Sequence, residues 1–171
     1  MMNETNSSLA PNPLCAGDPA PDFTLESDSG ESVTLSALLA DLAGRGMKGL
    51  ILYFYPKDST SGCTTEAAAF RDSLDEFKRL GWAVSGVSRD SVKSHCNFRD
   101  KQALTFPLLS DREQTACRLY GVLKEKTMYG RKCFGVERST FVIGADGLVR
   151  HVLRGVKAKT HVAELIALLS A

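Results

Sequence analysis

The alternation of apolar and polar residues predicts short strands and amphipathic helices along most of the chain. Residues 21–39 contain two short strands around the turn sequence SDSG, and a helical turn follows them. The run GLILYFYP is almost wholly apolar and aromatic, and it ends at Pro56. Such a run is typical of a central strand that is buried on both faces.

The residues after this strand have a different spacing, three and four positions apart, which is that of one helix face. This face comprises Ala67, Phe70, Leu74 and Phe77. The spacing predicts a single helix from Cys63 to about Leu80. Because Cys63 falls in the same series, its side chain is expected to point inward from the first helical turn.

The rest of the chain continues this alternation of strands and helices. The pattern predicts a strand (WAVSGVS), a helix with Asp90 as N-cap (DSVKSHCNFRDKQA), a strand (FPLLSD), a short helix ended by Gly121 (EQTACRLYGV), a hairpin with DG at its turn (STFVIGADGLVRHVLRG) and a closing amphipathic helix (KTHVAELIALLSA). The whole order predicts an α/β protein with a thioredoxin-like fold. Its mixed central sheet is flanked by helices, and a β-hairpin stands at the N-terminus.

Composition places the chain among ordinary globular proteins, with 171 residues, 43% hydrophobic and 24% charged. Residues 1–17 are polar and proline-rich and are expected to form a flexible leader, whereas 18–171 are expected to form one domain. The net charge is +1, and the Lys and Arg residues are scattered along the chain, so we expect no nucleic-acid or membrane partner. No signal peptide is predicted, and we expect a cytoplasmic location, where thiols stay reduced.

The five cysteines include no CxxC pair, and their odd number excludes a fully paired disulfide framework within one chain. Cys63 is either an inert apolar side chain or a reactive thiol. The first turn of a helix stabilises a thiolate through unpaired N–H groups and the helix dipole. Gly62 allows close approach of the backbone, Thr60 offers a hydroxyl, and Pro56 can wall one side of the pocket. An electrophilic peroxide needs such a site, together with a cation that spacing does not identify.

Several segments resemble one known family. YFYPKDSTSGCT matches the peroxiredoxin motif PxxxTxxC, and TEAAAFRD, GVSRDSVKSH, FPLLSD, EKTMYG and ERSTFVI follow in order. From about Asp18 to the C-terminus, the chain resembles the peroxiredoxin Q subfamily, also called bacterioferritin comigratory protein. The resemblance implies a thiol-dependent peroxidase that reduces hydrogen peroxide and organic hydroperoxides. It implies a role in antioxidant defence, with no metal, haem, flavin or nucleotide cofactor.

The same resemblance assigns roles to individual residues. Cys63 matches the peroxidatic cysteine, which becomes a sulfenic acid, and Thr60 matches the hydroxyl that binds sulfur and peroxide. Pro56 matches the residue that shields the pocket, and Arg138 supplies the missing cation. Glu66 matches a Glu or Gln that fixes the helix start or orients Arg138, and a solvated first-turn acid is an equal alternative.

The resolving thiol is the point at which the chain departs from its relatives. Many relatives carry this cysteine at the position of Ala68, and others at the position of Arg99. Cys96 lies nearly one helical turn before Arg99, on roughly the same face, and is the resolving candidate. An ordinary half-buried residue is the alternative for Cys96. A disulfide needs Cα atoms within roughly 7 Å, so some local unwinding is expected.

The other cysteines and the partners follow from this scheme. Cys133 is the alternative resolving thiol, Cys117 is expected to fill the core, and Cys15 is a mobile thiol in the leader. Thioredoxin is the electron donor that the resemblance implies, with glutaredoxin or glutathione favoured if no internal disulfide forms. The subfamily resemblance also favours a monomer.

Two rival hypotheses use the same cysteine. A cysteine hydrolase needs a histidine within hydrogen-bond reach of Cys63, and a redox sensor is oxidised once without turnover. The three histidines lack metal-ligand spacing and are expected to be surface or cap residues; they are His95, His151 and His161.

Overall fold

The computed structural model describes residues 13–171, which contain nine strands and six helices. The strands are β1 (Thr24–Ser27), β2 (Ser32–Thr34), β3 (Gly49–Phe54), β4 (Trp82–Ser88), β5 (Leu108–Ser110), β6 (Leu123–Met128), β7 (Arg131–Val136), β8 (Ser139–Gly144) and β9 (Val149–Arg154). The helices are α1 (Leu35–Gly44), α2 (Ser61–Asp72), α3 (Leu74–Leu80), α4 (Val92–Gln102), α5 (Thr115–Leu119) and α6 (His161–Ser170). None of these helices is long and apolar enough to cross a membrane.

Seven strands form one mixed sheet in the order β2-β1-β5-β4-β3-β8-β9. The central strands β3, β4 and β5 are parallel, while β8 and β9 on one side and β1 and β2 on the other run antiparallel to their neighbours. The two predicted hairpins are confirmed as β1–β2 and β8–β9. This arrangement brings the end of β3 and the start of β8 together, because Phe54 pairs with Ser139.

Strand β3 divides the core into two halves, because successive side chains of a strand point to opposite faces. Ile51 and Tyr53 pack with α2, α3, α4 and α6, while Leu50 and Leu52 pack with α1 and α5 on the other face. All six residues of β3 are buried, as the apolar run predicted. The sheet is therefore covered by helices on both faces, and Cys63 belongs to the first half of the core.

Three local predictions need correction. The first hairpin leads into a ten-residue helix, α1, rather than a single turn. The predicted helix from Cys63 to Leu80 is two helices, α2 and α3, separated at Ser73. The N-cap of α4 is Ser91, whose hydroxyl accepts from the Ser94 amide at 3.1 Å, because the Asp90 carboxylate bonds to other groups.

The ribbon formed by β6 and β7 was not predicted at all. Nearly all its side chains are exposed on both faces, so it shows no apolar alternation. Its turn contains Tyr129 and Gly130, both with positive φ, 53° and 78°. Two adjacent residues with positive φ match the tight turns that join antiparallel strands, but Tyr-Gly is not the usual sequence signal for them.

The predicted leader over 1–17 lies mostly outside the described residues and stays a prediction. Of its last residues, Cys15 is exposed and its amide donates to the Asp18 carboxylate at 2.8 Å. The Gly17 amide donates to the Val149 carbonyl at 2.7 Å. This contact joins the beginning of the described chain to the first residue of β9.

Candidate active site

Cys63 lies in the first turn of α2, with only 2% of its surface exposed. The inward orientation predicted from the helical spacing is confirmed. The first turn of a helix leaves backbone N–H groups without intrahelical partners. These groups and the helix dipole favour negative charge at the position of the Cys63 sulfur.

Arg138 supplies the cation of the site. It stands between β7 and β8, beside the end of β3 from which the chain leads to α2. Both Nη1 and Nη2 of Arg138 lie 3.6 Å from the Cys63 sulfur and donate to it. Two donors on one planar cation hold a thiolate from a fixed direction. Cys63 and Arg138, which resemblance paired across the chain, are therefore in direct contact.

Gly62 leaves room for this guanidinium. A Cβ built on Gly62 would lie 3.1 Å from Arg138 Nη2 and 3.8 Å from the Ala158 Cβ. Any larger residue at this position would push against the cation that contacts Cys63. The close approach expected at Gly62 is thus an approach of the Arg138 side chain.

Glu66 is wholly buried and pairs with Arg138, whose Nη1 donates to Oε1 at 2.7 Å. The solvated first-turn acid is therefore excluded, and Glu66 is a buried ion-pair partner of Arg138. Its Oε2 has no hydrogen-bond partner among the described residues. Burial raises the pKa of Glu66 to about 7, against the opposing effect of Arg138. For Arg138, burial lowers the pKa, but the charges of Glu66 and Cys63 raise it overall, so the guanidinium remains charged.

The raised pKa of Glu66 predicts a pH-dependent stability. Because the pKa rises from 4.5 to about 7 on folding, the native state binds this proton more tightly than the unfolded chain. Protonated Glu66 contributes its full stabilisation below its pKa in the unfolded chain. This stabilisation is lost as the pH rises through the pKa of Glu66 in the folded protein. We expect the wild type to lose stability relative to Glu66→Gln between about pH 5 and about pH 8, by at most about 3 kcal/mol.

Denaturant unfolding at a series of pH values measures this difference. Glu164→Gln, which changes an exposed glutamate on α6, is the matched control and should follow the wild type at every pH. A wild type and Glu66→Gln with parallel stability profiles across this range would contradict the assignment.

Thr60 and Pro56 border the loop that leads to Cys63. Thr60 is exposed and is the N-cap residue of α2, but its hydroxyl makes no capping bond to the helix. Instead the hydroxyl donates to the Lys57 carbonyl at 2.8 Å, which leaves its lone pairs free to accept a hydrogen. Pro56 is half-buried, two residues beyond the end of β3.

The remaining cysteines lie in different surroundings, and no cysteine of the described chain is in a disulfide. Cys96 is half-buried on α4, and its thiol donates to the Asp28 carbonyl at 3.0 Å. Cys133 is exposed on the β6–β7 ribbon, opposite Lys126. Cys117 is buried in the second half of the core, as expected, and burial raises the pKa of its thiol.

The histidines do not complete a hydrolase. His95 and His161 are wholly buried and are not the caps of their helices, which corrects the expectation of surface or cap positions. His161 Nε2 pairs with the Thr140 hydroxyl at 2.7 Å, and His95 bonds to Asp58 and to Leu109. None of the three histidines hydrogen-bonds to Cys63 within residues 13–171. In the same part of the chain, no group of three or more His, Cys, Asp or Glu side chains is placed to hold a metal ion.

Comparison with known proteins identifies the family. The family model described as AhpC/TSA family matches residues 16–152. A curated relative, peroxiredoxin Bcp from Xanthomonas campestris, is 51% identical over 122 residues, which cover 71% of this chain and 76% of the relative. The chain is a peroxiredoxin of the AhpC/TSA family. It is therefore a thiol peroxidase.

Solved structures place this peroxiredoxin in the subfamily that the sequence motifs resembled. Peroxiredoxin Q from Xylella fastidiosa, solved as a cysteine-to-serine variant, has 39% identity and a TM-score of 0.82, covering 93% of this chain and 97% of its own. Bacterioferritin comigratory protein from Xanthomonas campestris, whose structures concern alkyl peroxide reduction, has 44% identity and a TM-score of 0.77, covering 86% and 90%. The predicted thioredoxin-like fold and the peroxiredoxin Q subfamily are thus confirmed.

Proposed function

We propose that Cys63 is the peroxidatic residue of this peroxiredoxin. The observation that carries the proposal is the pair of Arg138 N–H groups, both 3.6 Å from the buried Cys63 sulfur. Only a cysteine held as thiolate and supplied with fixed donors suits nucleophilic attack on a peroxide. Among the five cysteines, Cys63 alone contacts such a cation in the described residues.

The reaction follows from the placement of these groups. The Cys63 thiolate attacks one peroxide oxygen, the O–O bond breaks, and the leaving oxygen takes a proton to become water or an alcohol. Cys63 is thereby oxidised to a sulfenic acid. Arg138 and the start of α2 stabilise the charge that moves from sulfur to oxygen. Thr60, whose own hydrogen is used on Lys57, accepts the hydrogen of the incoming peroxide, and Pro56 walls the pocket.

We propose hydrogen peroxide and organic hydroperoxides as substrates, in a role in antioxidant defence. Support for the organic class comes from the Xanthomonas relative and its alkyl peroxide reduction. Cys96 is the proposed resolving thiol, with Cys133 as the alternative. Thioredoxin is the proposed reductant, and glutaredoxin or glutathione replaces it if no internal disulfide forms. A cytoplasmic monomer remains the expected form.

A peptide mass map under non-reducing conditions tests this cycle. Reduced protein is treated with one equivalent of hydrogen peroxide, and peroxide loss is followed in the same sample. We expect a disulfide-linked peptide pair that contains Cys63 and Cys96. This pair requires local unwinding, because the Cys63 sulfur contacts Arg138 and the Cys96 thiol donates to Asp28.

Other products of the same experiment are equally informative. A Cys63 sulfenic or sulfinic acid beside a reduced Cys96 would exclude Cys96 and require an external thiol. A peptide pair linking Cys63 to Cys133 would instead assign resolution to the β6–β7 ribbon. Peroxide that is not consumed, with Cys63 still a thiol, would overturn the proposed role of Cys63.

A further inference from the structure

A buried polar cluster lies beside the loop that leads to Cys63. Its centre is Asp58, which is 5% exposed and lies between β3 and α2. The Asp58 carboxylate accepts from the Tyr55 hydroxyl at 2.6 Å and from the Ser94 hydroxyl at 2.8 Å. Nδ1 of His95 lies 2.7 Å from the same carboxylate. Tyr55 and Asp58 belong to the loop, whereas Ser94 and His95 belong to the first turn of α4.

The hydrogen bonds of His95 require a proton between its ring and Asp58. Nε2 of His95 lies 3.0 Å from the Leu109 carbonyl, which only accepts, so Nε2 carries a hydrogen. A neutral ring with that tautomer would turn a lone pair toward the Asp58 carboxylate. Nδ1 of His95 and Oδ2 of Asp58 are 2.7 Å apart and both side chains are buried, so the contact between them is a short hydrogen bond inside the core.

The main chain of the same loop has a second attachment. The Asp58 amide donates to Asp90 Oδ2 at 2.8 Å, and the Ser88 hydroxyl donates to the same oxygen at 2.6 Å. The Ser110 hydroxyl donates to the Asp90 carbonyl at 2.6 Å. Asp90 lies in the segment that joins β4 to α4. The loop before Cys63 is therefore hydrogen-bonded to the start of α4 and to the segment before it, through both the side chain and the backbone of Asp58.

We infer that Asp58 and His95 are positioning residues that decide the fate of oxidised Cys63. Their contact holds the loop that leads to Cys63 against the helix turn that precedes Cys96. While it is intact, Cys63 stays beside Arg138, where a second peroxide can reach it. When it opens, the loop and the start of α4 are free to unwind, and Cys63 can meet Cys96. This inference rests on the proposed roles of Cys63 and Cys96.

Oxidised Cys63 can undergo either of two reactions, resolution or overoxidation. In resolution, the Cys96 thiolate attacks the Cys63 sulfenic sulfur, the S–O bond breaks, and the oxygen leaves as water after taking a proton. In overoxidation, the sulfenate attacks a second peroxide, the O–O bond breaks, and sulfinic acid forms with water or an alcohol. Resolution needs the loop to leave its position, because the Cys63 sulfur accepts a hydrogen bond from Arg138 while the Cys96 thiol donates one to the Asp28 carbonyl. Overoxidation needs the site as it stands.

Asp58→Asn tests the inference, since it preserves the shape of the side chain and removes its charge. We expect disulfide formation to become about tenfold faster and the sulfinic fraction at excess hydrogen peroxide to fall about fivefold. His95→Gln should act in the same direction. Ser94→Ala removes one donor from a half-buried position, and we expect a milder shift of about twofold to threefold that keeps the test open if the stronger variants do not fold.

Asp111→Asn is the matched control. Asp111 is also buried, and its carboxylate accepts from the Ala116 and Cys117 amides at the start of α5 and makes no hydrogen bond to Asp58, Ser94 or His95. It should lose stability without changing the ratio of disulfide to sulfinic acid. Peptide mass spectrometry over a range of peroxide concentrations measures that ratio.

The outcomes separate this inference from the proposed function. Equal ratios in the wild type and all three cluster variants would overturn the inference, as would the same shift in Asp111→Asn. A wild type that consumes peroxide without a Cys63–Cys96 disulfide overturns it too, but leaves the peroxidase intact. A wild type whose Cys63 remains a thiol overturns the proposed function itself.

Discussion

Cys63→Ser is expected to abolish peroxide consumption, with a rate loss of roughly a thousandfold or more. The serine hydroxyl is almost the same size as the thiol, so the 2%-exposed position and the start of α2 should be preserved. The serine hydroxyl is not ionised near neutral pH, however, so Arg138 in this variant contacts a neutral oxygen instead of a nucleophilic sulfur. The measurement is peroxide loss in the presence of a small dithiol, with the fold checked by circular dichroism.

An exposed cysteine supplies a control of the same chemical change. Cys15→Ser alters a thiol at the surface, and with a small dithiol as reductant it should keep the wild-type rate. The role of Cys63 would be refuted by a well-folded Cys63→Ser protein that still consumes peroxide at the normal rate.

Arg138→Lys should lower the rate constant of Cys63 oxidation by about a hundredfold. The guanidinium spans three contacts, with two N–H groups 3.6 Å from the sulfur and one of them 2.7 Å from Glu66. A lysine ammonium is a single point charge on a flexible stem, and it cannot reproduce this planar fork. It also leaves the buried Glu66 without its fixed partner. Single-turnover kinetics with stopped-flow mixing measure the oxidation step alone.

Arg150→Lys provides the matched exchange elsewhere on the molecule. Arg150 pairs with Asp146 across an exposed site on the β8–β9 hairpin, where such pairs contribute little. The rate constant of Cys63 oxidation in Arg150→Lys should equal that of the wild type. If Arg138→Lys stayed within about threefold of the wild type, a point charge would suffice and the fork geometry would be irrelevant.

Both effects originate in a site assembled from distant parts of the chain. Cys63 and Arg138 are 75 residues apart, and they meet because β3 and β8 are adjacent antiparallel strands. Glu66 lies nearly one turn after Cys63 in α2 and pairs with Nη1, one of the two Arg138 nitrogens that contact the Cys63 sulfur. The sheet topology therefore brings Cys63, Arg138 and Glu66 together.

The amino-acid sequence was sufficient for the elements with a regular apolar pattern. Strand β3 follows from its continuous apolar run, which is typical of burial on both faces. The hairpins and the inward orientation of Cys63 follow from spacing, because burial of one face imposes a period on the sequence. The PxxxTxxC motif and the later ERSTF segment indicated Cys63 and Arg138 through resemblance to peroxiredoxins. No spacing rule could have paired these two residues.

Sequence patterns failed where burial does not impose a period or where contacts are long-range. The β6–β7 ribbon is exposed on both faces and thus carries no apolar alternation. The helix break at Ser73 interrupts a spacing that continues without change from Phe70 to Phe77. His95 appeared to be a surface residue because its partner Asp58 lies 37 positions earlier.

The chain's sequence patterns and motifs thus specified its class of fold and its family. Three-dimensional packing decided that Glu66 is buried beside Arg138, that Cys96 faces Asp28, and that Asp58 joins the loop before Cys63 to α4. The physical reason is the same in each case. Apolar periodicity records which face of an element is buried, whereas the partner of a buried polar group depends on which strands and helices become neighbours.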